Sequence, residues 1–553
     1  MGEQKLGDRT VVSAVLCSPI YSYVHRTIKY TFCQTASYQP PSAAATAAST
    51  CQRMFEFRSI LVLTILDFCV FSCTFAEIKS NNATLEPRHY QPLPSGYSNP
   101  NPSPTTEPYS LDFTYHNHDQ LTRYLRLTSA RYPDLTALYS IGRSVQGRDL
   151  WVMVVSSSPY EHMVGKPDVK YVANMHGNEA VSRELMLHLI HYLVTSYATD
   201  PYIRWLLDNT RIHILPSMNP DGFEVAKEGT CDGSQGRNNA HGFDLNRNFP
   251  DYFKQNNKRT QPETEAVKEW ISKIQFVLSG GLHGGALVAS YPFDNTPNSM
   301  FQSYISAPSL TPDDDVFRHL SLTYSSNHLK MSRGVSCKST SPAFPRGITN
   351  GAAWYPLTGG MQDYNYIWYG CMETTLELSC CKYPPASELP KYWQDNKVAL
   401  VKYLGEAHRG IHGFVMDENG NPVEKASLKV KSRDVGFQST KYGEFWRILL
   451  PGVYRLEVYG KGYVPKEVEV VVVEEHPTAL NITLKVAGPK RNDGPMIYRP
   501  GSKPSYHHSQ PPLPHNDHHH HGPQVHSSTI KTETGLFSTI SSGLSNFVSN
   551  IFG

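Results

Sequence analysis

Between residues 110 and 408 the chain alternates two kinds of segment, and that alternation restricts its fold more than any other feature. Residues 170–174, 211–215, 276–279 and 372–378 are short apolar or β-branched runs bounded by Gly, Pro or Asn, the pattern of strands. Longer amphipathic stretches, such as 183–197 and 263–274, lie between several of them. This order predicts an α/β domain over 110–408, with a mixed β-sheet flanked by helices.

After Arg409 the pattern changes to short alternating runs, GIHGFVMD, EFWRILL, VYRLEVYG and KEVEVVVVE, separated by turn-forming ENGNP and PG. Residues 409–487 therefore read as a small all-β sandwich. It carries no cluster of catalytic residue types.

The ends of the chain have a different composition. Charged residues make up 18% of the 553 positions and 40 are Pro, against typical values of about 25% charged and about 5% Pro. That imbalance points to polar, Pro-rich tails around a globular centre. Residues 1–53 show no sustained apolar period and read as an unstructured extension. Residues 54–76 open with MFEFR, continue through an apolar stretch broken only by Asp67, and end on small residues at Thr74 and Ala76. This is the layout of a secretory signal peptide starting at Met54, or of a signal anchor if translation starts at Met1; the alternative is a buried helix. Residues 77–109 form a Pro/Asn/Ser-rich linker, too polar to repay ordering.

Beyond 487, residues 488–534 form a Pro/His-rich tail containing eight histidines, capable of adventitious metal binding and expected to be disordered. Residues 535–553 place Leu536, Phe537, Ile540, Leu544, Phe547, Val548, Ile551 and Phe552 mostly at three- and four-residue steps, opposite an uncharged polar face. An interfacial helix making peripheral membrane contact through 536–552 would use this arrangement, as would a helix packed on the protein itself.

Cleavage after Ala76 would leave five cysteines, Cys231, Cys337, Cys371, Cys380 and Cys381. Five cysteines allow at most two bridges, and adjacent Cys380 and Cys381 should reach different partners. Asn82 and Asn481 sit in glycosylation sequons, which suit a secretory-pathway, extracellular or membrane-associated protein. With 51 basic and 49 acidic residues, the chain offers no general attraction to nucleic acid.

The chemistry concentrates in a few short motifs. In MHGNE, His176 and Glu179 lie three apart just past the strand at 170–174, where a turn can aim both at one point. Imidazole plus carboxylate suits zinc, and His283 of LHGG, at the end of FVLS, offers a third ligand. Three protein ligands leave a position open for water. Glu377, in the otherwise apolar METTLELS, is costly inside a sheet unless paired or used. GRNNAHGFDLNRNFP gathers Arg237, Asn246 and Arg247, and guanidinium is the natural fork for a carboxylate.

These residues, together with RIHILPSMNPDGFE, LHGGALVASYPFDN, SLTPDDDVF, GGMQDYNYIW and ELSCCKYP, resemble the zinc metallocarboxypeptidases of the regulatory subfamily, which contains carboxypeptidases M, D, N and E, with the phrases nearest to the M and D branches. The likeness spans roughly residues 111–486. It implies the metallocarboxypeptidase fold followed by a transthyretin-like β domain, one zinc ion on His176, Glu179 and His283, and Glu377 as general base. It further implies Arg237 against the scissile carbonyl, Asn246, Arg247 and Tyr355 on the substrate's terminal carboxylate, and Asp244 orienting His176. Asp294 of YPFDN, where this subfamily keeps an acid in the side-chain pocket, implies removal of C-terminal Arg or Lys from peptides and proteins. Membrane attachment through a C-terminal amphipathic helix, as in carboxypeptidase E, is a further implication of the likeness.

Two other readings compete. A catalytically silent module could use the same clamp to capture peptide C-termini, but every functional position keeps its expected residue type. A digestive enzyme cutting apolar ends is opposed by Asp294.

Overall fold

The computed structural model describes residues 109–297, 306–474 and 476–488. The expectations for 1–53, the leader at 54–76, Asn82, the tail beyond Gly488 and the amphipathic segment at 535–553 lie outside the described residues. Among the described residues no helix is long and apolar enough to cross a membrane.

Eight strands form one mixed sheet: β1 (Thr136–Arg143), β2 (Asp149–Val155), β3 (Asp168–Ala173), β4 (Arg211–Leu215), β5 (Phe276–His283), β6 (Ala286–Tyr291), β7 (Ile348–Asn350) and β8 (Met372–Ser379). Their order is β1-β2-β4-β3-β5-β8-β6-β7. The central four, β4, β3, β5 and β8, run parallel, and β3, β4 and β5 are buried at every position. Helices cover both faces of such a core, which explains why these strands read as continuous apolar runs. The outer strand β1 is only partly buried and was not legible as a strand for that reason.

The helices of eight or more residues are α1 (His118–Arg131), α2 (Ala180–Ser196), α3 (Pro201–Asn209), α4 (Pro262–Lys273), α5 (Asp314–Asn327), α6 (Met361–Tyr369) and α7 (Leu389–Gly405). The stretch 183–197 was expected to be amphipathic. It is instead buried almost all round as α2, Arg183 and Glu184 included. Both charges are matched: Arg183 donates to His116 O at 2.9 Å and lies over the Phe223 ring, while Glu184 meets His116 Nδ1 at 2.7 Å. Tyr109, assigned to the linker, already belongs to the folded unit. Its hydroxyl is 3.2 Å from those of Tyr124 and Thr128 on α1.

From Ile411 the chain forms a two-layer sandwich of β9 (Ile411–Asp417), β10 (Ser427–Val430), β11 (Phe437–Gln438), β12 (Glu444–Arg447), β13 (Gly452–Tyr459), β14 (Lys466–Val472) and β15 (Thr478–Leu484). One sheet runs β11-β10-β13-β14 and the other β12-β9-β15. Strict burial alternation in β9 shows the single core-facing surface expected of such a module. Asn481 is exposed on β15.

Buried charge joins the two modules. Asp313 accepts Arg447 Nη2 at 2.5 Å, Arg433 Nη1 at 2.8 Å and the Tyr366 hydroxyl at 2.6 Å. On another side His162 bridges Asp168 (2.7 Å) and Glu444 of β12 (3.0 Å). Carboxylates only accept, so an imidazole between two of them is held as imidazolium. Burial opposes that charge, but Asp168 and Glu444 outweigh it and push the His162 pKa up to about 9.

The two expected bridges are Cys231–Cys381 and Cys337–Cys380, and Cys371 is a buried free thiol. The adjacent cysteines do reach different partners.

Because His162 titrates near 6.5 when unpaired and near 9 when folded, its contribution to stability is complete below about pH 6.5 and lost as pH rises through about 9. The melting-temperature gap between the native chain and His162→Gln should therefore be widest near pH 6 and close by pH 10. A gap independent of pH would show that the bridge does not depend on the imidazolium.

Candidate active site

The loop after β3 is set by Asn174, which takes a left-handed conformation (φ 56°) tolerated by Asn because its short amide bonds locally. Its Nδ2 donates to the carbonyls of His176 and Gly177, both at 3.0 Å. Gly177 has no room for a side chain, since a Cβ there would stand 2.2 Å from the backbone of Gly222 and Phe223. The chain thus doubles back and turns His176 and Glu179 inward. Glu179 is the residue before α2, yet its side chain makes no capping bond. It faces the two histidines instead.

His283 arrives at the end of β5. Its Nδ1 is 2.8 Å from Glu179 Oε2 and 3.2 Å from His176 Nδ1, and His176 Nδ1 is 3.0 Å from Glu179 Oε1. The three side chains are buried, and they are the one group of metal-ligating residues found among the described residues. Two imidazole nitrogens facing each other beside a carboxylate form a donor set that fits zinc. His176 Nε2 donates to Asp244 Oδ1 at 3.1 Å, which fixes the tautomer with Nδ1 free to ligate.

Glu377 stands opposite His283 in the β5–β8 ladder. It is 8% exposed, and its Oε2 has no hydrogen-bond partner. Burial and the Glu179 charge push its carboxyl up to about 7, against the pull of His283, Lys382 and Arg237. A buried carboxylate with an unused oxygen is the arrangement that the apolar strand around it made costly unless used.

Arg237 is held by Asp244 through Nε (3.1 Å) and Nη2 (3.0 Å), leaving Nη1 near His176 and Glu179. Asn246 Oδ1 accepts Met361 N–H at 3.0 Å, and Arg247 Nη1 donates to Asn246 O at 3.0 Å. Asp294 is 5% exposed, with Oδ1 accepting Gln362 Nε2 at 3.0 Å. Burial pushes its carboxyl up to about 7; Arg247 opposes this, and Glu373 and Asp251 add to it. Gly351 and Gly360 enclose this carboxylate, and a Cβ at Gly351 would lie 2.1 Å from Oδ1.

One cleft of about 540 Å³ is lined by His176, Glu179, Arg237, Asn246, Arg247, His283, Asp294, Tyr355 and Glu377. The nine residues expected to ligate metal, hold substrate or move a proton therefore share one cavity, with Asp244 just behind. Sequence reading missed Gln362, which orients Asp294, and Thr375, Ser290 and Trp354 in the same wall. It also missed Lys382, whose Nζ is 3.3 Å from Glu179 Oε1. Gln362 and Lys382 lie inside the quoted phrases GGMQDYNYIW and ELSCCKYP, so the signal was present but carried no spacing rule.

Residues 121–399 match the zinc carboxypeptidase family, and residues 410–485 match the carboxypeptidase regulatory-like domain. The chain is 52% identical to carboxypeptidase M of Mus musculus over 64% of its own length and 80% of that protein. It is 44% identical to the carboxypeptidase N catalytic chain of Rattus norvegicus, over 68% of this chain and 87% of the other. With carboxypeptidase D of Homo sapiens it shares 45% identity over 68% of its length, but spans only 27% of that longer protein.

Replacing Asp244 by Ala removes the partner that orients both His176 and Arg237. Zinc affinity, read by competition with a chromophoric chelator, should fall about 10–100-fold. Unchanged affinity would remove Asp244 from the site.

Proposed function

The chain belongs to the zinc carboxypeptidases, and from that membership we propose that it removes C-terminal Arg or Lys from peptides and proteins. The observation that carries the substrate preference is Asp294: a buried carboxylate within the same cleft as the His176, Glu179 and His283 cluster. A neutral side chain would leave that carboxylate unpaired, whereas a guanidinium or ammonium would complete it.

His176, Glu179 and His283 would hold a zinc ion, which when bound would supply Lewis-acid polarisation of the scissile carbonyl and lower the pKa of water. The chain's own residues perform the rest. Arg247, Asn246 and Tyr355 receive the terminal carboxylate, which restricts turnover to a chain end because an internal peptide offers no such anion. Asp244 keeps the Arg237 guanidinium pointed at the developing oxyanion. Glu377 takes a proton from the attacking water and delivers it to the leaving amine nitrogen. Its raised pKa suits both transfers near neutral pH.

Work in an oxidising compartment, in the secretory pathway or outside the cell, is part of the same proposal. Support comes from two disulfides that pin the segment following Glu377 to two separate loops, and from an exposed sequon at Asn481. The leader at 54–76 and the amphipathic segment at 536–552 add a secretory route and peripheral membrane contact to this reading.

Glu377→Gln should retain zinc and melting temperature while turnover falls about 10²–10⁴-fold, since it deletes only the proton carrier. Full turnover would assign the base elsewhere. Asp294→Ala should abolish the preference for Arg-ended over Leu-ended peptides without loss of zinc. Persistence of a strong Arg preference would assign selectivity to another acid.

A further inference from the structure

One helical turn touches three separate parts of the cleft. At the start of α6, Met361 N–H donates to Asn246 Oδ1 at 3.0 Å, on the side that receives the chain end. Gln362 donates to Asp294 Oδ1 at 3.0 Å and accepts Thr375 N–H at 2.7 Å, two residues before Glu377 on β8. Asp363, third in the helix, meets Asp294 through its backbone. Its Oδ1 accepts Asp294 N–H at 2.9 Å, and its Oδ2 accepts the same N–H at 3.0 Å and Asn295 N–H at 3.3 Å.

Asp363 is 3% exposed and makes no ion pair with another described residue. An acid near a helix start ordinarily serves the helix's own N–H groups or faces water. This one serves the backbone of another loop, which makes its burial costly unless that loop's position matters. Burial, reinforced by neighbouring Asp294, holds its carboxyl well above the usual range. Asp251 also holds this loop, through the Asn295 side chain. It accepts Asn295 Nδ2 at 3.0 and 3.1 Å and Gly359 N–H at 2.9 Å. Asp363 does not line the cleft, so any effect it has on substrate passes through Asp294.

We propose that Asp363 is the positioning residue of the pocket acid. It fixes the backbone of Asp294 at the depth where the carboxylate meets a cationic side chain, and through the shared turn it registers that depth against Asn246. The side-chain charge and the chain-end carboxylate of a substrate are a fixed distance apart, so pocket and clamp must keep that separation. The inference rests on the reading of Asp294 as the selectivity acid.

The test is a double-mutant cycle on the full chain, with matched peptides ending in Arg or in citrulline, its neutral isostere. Asp363→Asn replaces an acceptor with an N–H that opposes the loop amides. It should lower the Arg-to-citrulline ratio of kcat/KM about tenfold, through KM for the Arg peptide, with kcat changed by less than about twofold. Added to Asp294→Ala, it should lower the ratio no further. Zinc content and melting temperature are read on each variant. If Asp363→Asn does not fold, Asp363→Glu, which displaces the acceptors by one methylene, enters the same cycle with the same expectation. An unchanged ratio in the Asp363 variant, equal losses of kcat on both peptides, or additive losses in the double variant would each overturn the proposal. If Asp294→Ala alone leaves the ratio intact, the reading of Asp294 fails and this inference goes with it, an outcome separate from failure of Asp363 alone.

Discussion

The parallel ladder between β5 and β8 sets His283 beside Glu377, and the rest of the site is arranged around that register. In a strand, successive side chains point to opposite faces, so a slip of one residue would send either group to the far side of the sheet. The register is secured in the centre of an eight-stranded sheet, where β5 is buried at every position and β8 at every position but Thr375. β3 lies on the other side of β5 and ends level with it, Ala173 pairing with Leu282. The loop leaving β3 then begins beside His283, which is how His176 and Glu179 come within bonding distance of a residue more than a hundred positions later.

What the sheet does not position, short backbone devices do. Asn174 in its left-handed turn and Gly177 against the Gly222 backbone fold the ligand loop back on itself. The opening turn of α6 links Asn246, Asp294 and Thr375, and the two disulfides fasten the chain just past Glu377. These contacts come from loops that carry few apolar residues, so hydrogen bonds and covalent links replace core packing as the source of order. Several acids share this region, with Asp294, Asp363 and Glu373 buried and Asp251 half-buried.

The β sandwich contributes no residue to the cleft. Its attachment is nonetheless built from buried charge, with Asp313 between Arg433 and Arg447 and with His162 between Asp168 and Glu444. Such pairs demand exact partners at the right distance, because removing one leaves a charge stranded away from water. They hold the module in one orientation, where an apolar contact alone would allow sliding. Asp313 also bonds Tyr366 of α6, so the clamp reaches the helix that supports the pocket.

The alternation of apolar runs and the shift after Arg409 were enough to determine an α/β domain followed by a β sandwich, because central strands and core-facing alternation are written directly in side-chain polarity. MHGNE and LHGG pointed to a metal through ligand types placed at strand ends, whereas the roles of Asp244 in DLNR, Asp294 in YPFDN and Glu377 in LELSC were implied by the resemblance to the zinc carboxypeptidases. Strands β1, β2, β6 and β7 were not among the runs read as strands, β1 and β7 being sheet edges with weaker apolar signal, and α2 was misread as amphipathic because its buried charges Arg183 and Glu184 look solvated in sequence. Tertiary structure alone decided which cysteines pair, that Glu377 is left with an unpartnered oxygen, that Gly351 and Gly360 wall in Asp294, and that Asp363 grips the loop carrying it. The physical reason is common to all four: local sequence fixes a residue's type and face, whereas distance between residues far apart in the chain exists only once the sheet has closed its ladders.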